Sequence, residues 1–401
     1  MEKNYRFFKG FLSGWAFMLL IGIVALGMKG KIQGDASNGS EQEAVITQEH
    51  VNKLVELEMM IDTYNLEDTD KQKLTDYMYK GLVAGLEDPY AAYYTPEELG
   101  SVQQSLEGSY KGIGALMSQN YETNEIKVIQ CYKDSPAEQA GMQPDDVILE
   151  INGQDVSEMS LNEVVKIIQE GDSDTIILKV SREKEAQPLT FSMERTKVQV
   201  PTVNVEMLED QIGYIEIIEF DSVTVSQFED AVAGLEEQGM EKLIVDVRDN
   251  PGGMLTSVCD ILDQILPEGL MVYTEDKAGN RVEYTSDEEH QFTKPLVVLV
   301  NEDSASASEI FAGAIQDYGL GTIVGTTTYG KGIVQTTYSL SDGSALKLTT
   351  AKYYTPNGNN IHEKGITPDV TIEMDEGKEN KNEISKEEDY QLQKAIEILK
   401  D

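Results

Sequence analysis

Three polar side chains in the second half of this 401-residue sequence have the types and spacing that acyl transfer requires. Ser306 lies in Asn301-Glu302-Asp303-Ser304-Ala305-Ser306-Ala307-Ser308-Glu309. Lys331 and Gln335 lie in Thr327-Thr328-Tyr329-Gly330-Lys331-Gly332-Ile333-Val334-Gln335. An unassisted hydroxyl is a poor nucleophile, so a serine that attacks a carbonyl needs a base within hydrogen-bond reach and donors aimed at the developing oxyanion. A lysine serves as that base only when neutral, which demands burial to bring its pKa down from about 10.4. Gly330 and Gly332 suit a close backbone approach, and Tyr329 and Val334 suit a dry site. Each signal also has a bland reading: Ser306-x-x-Glu309 before an apolar run is a capping box, and Gly-Lys-Gly is commonly a solvated turn. The chemical reading rests on their company.

The elements that must position these residues are legible as patterns. The apolar run Leu296 to Val300 predicts a buried strand and Ile310 to Ile315 a helix, which puts Ser306 at the turn between them. Leu243 to Val247 predicts a second strand covered on both faces. It leads into Asp249-Asn250-Pro251-Gly252-Gly253 and a helix within Met254 to Leu266. The Gly-x-Gly-x-x-Gly of a dinucleotide loop is absent. A glycine pair at a helix start offers N–H groups to an anionic oxygen, or simply makes a tight turn. Gly332 to Leu340 and Ser344 to Tyr354 flank Ser341-Asp342-Gly343 as a hairpin. On such a strand Lys331 and Gln335 fall on one side.

Acidic residues outnumber basic ones 72 to 32, a formal charge of −40, so nucleic acid is not an expected partner. Two cysteines, Cys131 and Cys259, do not make a disulfide framework and read as small buried apolar residues. His50, His290 and His362 lack metal-ligand spacing, so no metal or cofactor is expected. His290 and His362 read as surface residues.

Residues 10–28 carry no charge. A helix of that length, at about 1.5 Å per residue, just crosses a hydrocarbon core of about 30 Å. Lys3, Arg6 and Lys9 precede it, so residues 1–9 are expected in the cytoplasm and the remainder outside it, with the protein at the cell membrane. The run is longer than a signal-peptide core and is followed by Lys29 and Lys31, which favours an uncleaved anchor. Residues 29–46 read as a linker. A helical segment over 47–108 shows one stripe of Val51, Leu54, Val55 and Met59 and another of Leu74, Met78 and Leu82, the pattern of core packing.

Four signals follow in order: the loop Tyr110-Lys111-Gly112-Ile113-Gly114-Ala115; a short helix from Ser135-Pro136-Ala137-Glu138 to Gly141; a strand within Asp145 to Ile151 running into Asn152-Gly153; and a helix boxed by Ser160 and Glu163 with Leu161, Val164, Val165 and Ile168 on one face. Residues 109–185 thereby resemble a PDZ domain. The resemblance implies that backbone N–H groups of Gly112, Ile113 and Gly114 capture a peptide carboxylate, with the helix from Ser160 as the far wall of the groove.

Ser-Ala-Ser-Ala-Ser-Glu, Gly-Lys-Gly-Ile-Val-Gln and the 25-residue step from Ser306 to Lys331 resemble the carboxyl-terminal processing proteases, serine peptidases with a Ser/Lys dyad. The likeness covers nearly the whole chain outside the N-terminal run and the tail. It implies Ser306 as nucleophile, Lys331 as general base, Gln335 orienting the lysine, and an oxyanion hole of Ala307 with Gly252 or Gly253. It further implies dimer contacts through the helical segment with its Asp88-Pro89-Tyr90 turn. Arg182 falls near a basic residue that docks the PDZ domain on the protease, a solvated arginine being the other reading. The expected fold class is multidomain α+β: an N-terminal transmembrane helix, the helical segment, a β-rich PDZ domain with two helices, a mixed α/β protease core over 186–375 resembling the crotonase/Clp-like fold, and an acidic tail with a C-terminal helix over 376–401 as a second dimer element.

The expected function is a membrane-anchored serine endopeptidase that cuts extracytoplasmic proteins near their C-termini. Its PDZ domain recognises substrate C-terminal ends and regulates activity, and a homodimer and a regulatory partner protein are in keeping with it. The alternative is a catalytically silent membrane-bound PDZ scaffold. A dyad hydrolase of small esters or amides leaves the PDZ domain unexplained.

Overall fold

The computed structural model describes residues 45–374, apart from 121, 172, 288 and 290, and residues 384–400. The chain divides after Leu74 into two units. In the first, the helix Gln48–Tyr64 is capped by the Thr47 hydroxyl, which accepts the His50 N–H. Lys71 pairs with Asp62 and Glu58. The stripe of Val51, Leu54, Val55 and Met59, expected to be core, stays exposed.

The expected fold class is corrected in its first element, the transmembrane helix. Residues 10–28 lie outside the described residues, and among the described residues no helix is long and apolar enough to cross a membrane. Even the 17-residue helix Gln48–Tyr64 is interrupted by Glu49, Lys53, Glu56, Glu58 and Asp62, charges that hydrocarbon does not accommodate.

The second unit is built on a six-stranded sheet in the order Val203–Met207, Ile212–Ile217, Lys242–Asp246, Leu296–Val300, Thr322–Gly325 and Val370–Thr371. The first pair is antiparallel and the rest are parallel. All five residues of Leu296–Val300 are buried, because both faces of the sheet are covered. On one face the helices Thr224–Glu237, Leu255–Asp263 and Ala307–Tyr318 place Phe228, Val258, Ile261 and Phe311 against Val245 and Val298. On the other, the helix Tyr390–Lys400 buries Leu392, Ala395 and Leu399 against Ile244, Val297, Leu299 and Val324. The apolar side of the terminal helix, expected as a dimer element, is thus spent on this sheet. Arg248, 2% exposed, locks it there, donating to Asp246 at 2.6 Å, Asp389 at 2.8 Å and Gln391 at 2.9 Å. A second sheet runs Ala92–Tyr94, Ala345–Tyr354, Gly269–Asp276, Arg281–Ser286, with Ile333–Ser339 also paired to Ala345–Tyr354.

A smaller antiparallel domain has the strand order Ala115–Gln119, Ile126–Cys131, Val147–Ile151, Thr175–Ser181, Leu189–Glu194. Its core collects Ile126, Val128, Ile148, Ile176 and Leu178 with Val164 and Ile168 of the helix Leu161–Glu170. Asn152 and Gly153 both adopt positive φ, 51° and 83°, as a two-residue hairpin turn requires. The last strand lies beyond residue 185, so the chain leaves this sheet later than its sequence pattern indicates. It enters and leaves the domain through a two-stranded ribbon of Ser109–Gly112 and Thr196–Gln199, with the Val200 N–H donating to the Gly108 carbonyl at 2.8 Å.

Candidate active site

The strand Leu296–Val300 ends in a loop whose shape is fixed by the neighbouring loop after Lys242–Asp246. Ser304 Oγ donates to the Val247 carbonyl at 2.7 Å, the Ala305 N–H to the Asn250 carbonyl at 3.0 Å, and Ser308 Oγ to the same carbonyl at 2.9 Å. Held this way, half-buried Ser306 sits at φ 57°, ψ −112°, a left-handed backbone that costs a side-chain-bearing residue about 1–3 kcal/mol. An N-cap normally has extended backbone, so Ser306 is turned away from the usual capping geometry. The Tyr353 hydroxyl steadies it by donating to its carbonyl at 3.0 Å.

Glu309, fully buried, begins as the capping-box partner: its Oε2 accepts the Ser306 N–H at 2.8 Å. It goes well beyond a cap. The same Oε2 accepts the Lys331 N–H at 2.8 Å, and Oε1 accepts the Gly330 N–H at 2.7 Å and the Thr328 hydroxyl at 2.6 Å. Sequence reading treated this glutamate as a local cap. Its three further donors lie some twenty residues on, in a loop that no short-range pattern ties to it.

Lys331 lies in the loop between Thr322–Gly325 and Ile333–Ser339. Gly330, at φ 89°, and Gly332 let this loop lie flat on residues 361–366. A Cβ on Gly332 would stand 2.5 Å from the His362 N, and the Glu363 N–H donates to the Gly330 carbonyl at 2.8 Å. His362 is accordingly half-buried, with a buried Nδ1 that makes no hydrogen bond among the described residues, rather than a surface residue. The Lys331 ammonium is 4.6 Å from the centroid of the Tyr90 ring. Burial holds its pKa below the ordinary lysine value, the charge of Lys347 pushes the same way, and Glu309 opposes both. Tyr90 and Lys347 escape sequence reading because they approach from distant parts of the chain.

Gln335 lies on the strand next to this loop, opposite Thr349, and its amide donates to the Thr349 hydroxyl at 3.3 Å. Gly252 and Gly253, at φ 111° and 138°, differ in their amides. The Gly252 N–H is taken by Asn250 Oδ1 at 2.8 Å. Those of Gly253 and Ala307 donate to nothing among the described residues. A Cβ on Gly252 would stand 2.8 Å from the Ser306 Cβ and 3.0 Å from the Ala307 N, so only glycine fits beside the serine. The result is one buried carboxylate that holds the backbones of the serine and of a half-buried lysine, with a free N–H on Ala307 next to the serine and another on Gly253.

In the smaller domain Gly112, Ile113 and Gly114 join the ribbon to the edge strand Ala115–Gln119. Between that strand and the helix Leu161–Glu170 lies a groove of about 180 Å³ lined by Tyr110, Ile113, Leu116, Met117, Val165 and Ile168. Arg182 neither floats in solvent nor reaches the protease core: it is paired with buried Asp146 at 2.6 and 2.8 Å within this domain. Cys131 and Cys259 are free, the second deeply buried with its thiol pushed up to about 12 by burial.

Two family models match the sequence, peptidase family S41 over residues 211–372 and the PDZ domain over residues 127–182. The chain is 34% identical over 358 residues to the carboxy-terminal processing protease CtpA of Bacillus subtilis, covering 89% of this chain and 76% of that one. It is 36% identical over 322 residues to a carboxyl-terminal-processing protease of Synechocystis, covering 79% and 75%. A putative S41 protease from Bacteroides fragilis shares the fold, with a TM-score of 0.50 at 16% identity over 84% of this chain and 92% of that one.

Proposed function

Because the chain belongs to peptidase family S41, among the carboxyl-terminal processing proteases, and is thereby a serine-type peptidase with a PDZ domain, we propose that it is an endopeptidase that cuts protein substrates near their free C-termini through a Ser306/Lys331 dyad. The observation that carries this reading is the pair of 2.8 Å hydrogen bonds by which Glu309 Oε2 holds the backbones of Ser306 and Lys331, beside a lysine whose pKa burial lowers.

In the proposed reaction Ser306 Oγ attacks the scissile carbonyl while its proton passes to neutral Lys331 Nζ. The oxyanion forms between the N–H groups of Gly253 and Ala307, with Gly252 supplying the clearance. Lys331 then gives its proton to the leaving amine as the C–N bond breaks; a water oxygen next attacks the acyl carbon while its proton passes to Lys331, which hands it to Ser306 Oγ as the ester bond breaks. Gln335 and Thr349 line the wall along which the lysine is oriented. The PDZ groove takes the substrate's C-terminal end by adding it to the edge strand Ala115–Gln119, with the carboxylate at Gly112, Ile113 and Gly114.

The test is cleavage of an unfolded protein with an apolar free C-terminus by wild type, Ser306→Ala and Lys331→Ala. Cutting by wild type alone is expected. Cutting by either variant at a comparable rate would remove the dyad from the mechanism.

A further inference from the structure

The Asp88-Pro89-Tyr90 turn, read in the sequence as part of a subunit contact, reaches into the active site. Asp88 Oδ1 accepts the Tyr90 N–H at 2.9 Å, and against burial that N–H, together with the nearby Thr349 hydroxyl, holds the carboxyl's pKa down. The following strand, Ala92–Tyr94, is zipped to Ala345–Tyr354 with Ala92 opposite Lys347. So anchored, the half-buried Tyr90 ring faces Lys331 Nζ at 4.6 Å. Burial, together with Tyr329 beside its hydroxyl and two residues ahead of the lysine, pushes that hydroxyl's pKa up.

The face of an aromatic ring is electrostatically negative, so it attracts an ammonium and does little for a neutral amine. In the reaction above, Lys331 is neutral before Ser306 attacks and carries a proton while the tetrahedral intermediate exists. A contact that favours only the protonated lysine stabilises the transition state more than the ground state, the condition for raising kcat. We propose that Tyr90 is a positioning residue for the general base: its ring face seats the Lys331 ammonium during the interval between taking the proton from Ser306 Oγ and giving it to the leaving nitrogen. The Tyr90 hydroxyl takes no part in the transfer and keeps its own proton.

This inference rests on the Ser/Lys reading. The charged and titratable groups facing the pair are Glu309 from the serine helix, Lys347 from the strand Ala345–Tyr354, Tyr329 from the lysine's own loop and Asp88 from the turn. Glu309 favours the ammonium and Lys347 opposes it. Lys347 lies 5.3 Å from the ring centroid of Tyr94, so one short segment presents a tyrosine to each lysine.

The test replaces Tyr90 in the full chain by Phe, by pentafluorophenylalanine, which keeps the ring's shape and removes its negative face, and by Leu. The kcat–pH profile of each is measured on an unfolded protein substrate beside that of Lys331→Ala. Tyr90→Phe is expected to keep kcat within about threefold. The fluorinated ring and Leu are expected to lower kcat by about tenfold with KM within about twofold. Both also move the acid limb of the profile to lower pH, because the protonated lysine has lost a partner. Equal profiles for the plain and fluorinated rings, a limb displaced to higher pH, or a Phe variant as impaired as Leu would each overturn the proposal. An active Lys331→Ala sinks the dyad and this inference together. An inactive one, with fluorination without effect, sinks this inference alone.

Discussion

Ser306 and Lys331 donate their backbone N–H groups to one and the same carboxylate oxygen of Glu309, each at 2.8 Å, which places the two nitrogens at most about 5.6 Å apart, twice that distance. Ser306 and Lys331 belong to different loops, and no helix or sheet register fixes one to the other. The shared oxygen does. A carboxylate suits this post because it accepts on every side, whereas an amide of equal size must point two donors at groups that are themselves donors.

Glu309→Gln tests that reasoning. The substitution keeps volume and removes acceptor capacity at a buried site, so we expect a loss of about 2–4 kcal/mol in folding stability and a fall in kcat of at least about a hundredfold, with KM little changed. Thermal unfolding and steady-state cleavage read the two effects. A variant with wild-type kcat would show that the serine and lysine loops keep their register without the carboxylate.

The glycine pair makes a second test. A methyl group on Gly252 would collide with the Ala305 carbonyl at 2.7 Å and the Ser306 Cβ at 2.8 Å, and one on Gly253 with the Phe220 carbonyl at 2.4 Å. Both sites also have φ beyond 100°. Gly252→Ala and Gly253→Ala are each expected to lower kcat by about a hundredfold or more, the scale of losing one oxyanion donor. If Gly253→Ala cleaves normally, the loop takes up the methyl group without displacing the donor that the site needs.

The pH dependence has a definite sign. As the proposed base, Lys331 has to be neutral to accept a proton from Ser306, so kcat is expected to rise with pH through a limb that lies below the pKa of a free lysine. Lys347→Gln removes a like charge that holds the ammonium form of Lys331 unfavourable. The Lys331 pKa therefore rises, and the limb moves to higher pH. An unmoved limb would mean that Lys347 has no part in setting the lysine's protonation.

Asp221 offers a test away from the chemistry. It is 5% exposed, its Oδ1 makes no hydrogen bond among the described residues, and burial followed by the nearby Glu219 pushes its carboxyl up to about 6. Against an unfolded value of about 3.9, the unfolded chain gives up this proton first. Stability is therefore lost as pH climbs through the interval between the two values and stays lost above it, by up to about 3 kcal/mol. Asp221→Asn should raise the melting temperature at pH 7.5 and confer little advantage near pH 4.

The strand–turn–helix that carries Ser306 could be read directly, since a five-residue apolar run, a capping pair and a helical period are local patterns. So could the hairpin after Lys331 and the Asn152-Gly153 turn. What could not be read is who faces whom across the chain. Glu309 looked like a cap because its nearest donor in sequence is a capping donor. Tyr90 looked like a turn residue because its target lies beyond the whole smaller domain. The stripe of Val51, Leu54, Val55 and Met59 has helical period whether or not anything covers it, so periodicity alone could not tell a buried face from an exposed one. Arg182 shows the same limit: its type and position permitted a partner outside its own domain, and buried Asp146 claimed it.

The ribbon at the root of the smaller domain has a consequence for how this architecture is built and changed. The chain departs at Gly108 and returns at Val200, and these residues share a single hydrogen bond of 2.8 Å. The residues between them, 109–199, form a cassette with both ends at one socket. The parent scaffold gives up no strand of its central sheet to accept it, so a shortcut peptide across Gly108 and Val200 should leave the parent's topology whole. Domains whose own termini meet are the ones that tolerate grafting. Exchange of the cassette is thus an economical route by which such a chain changes what it attends to while its cutting centre stays as it is.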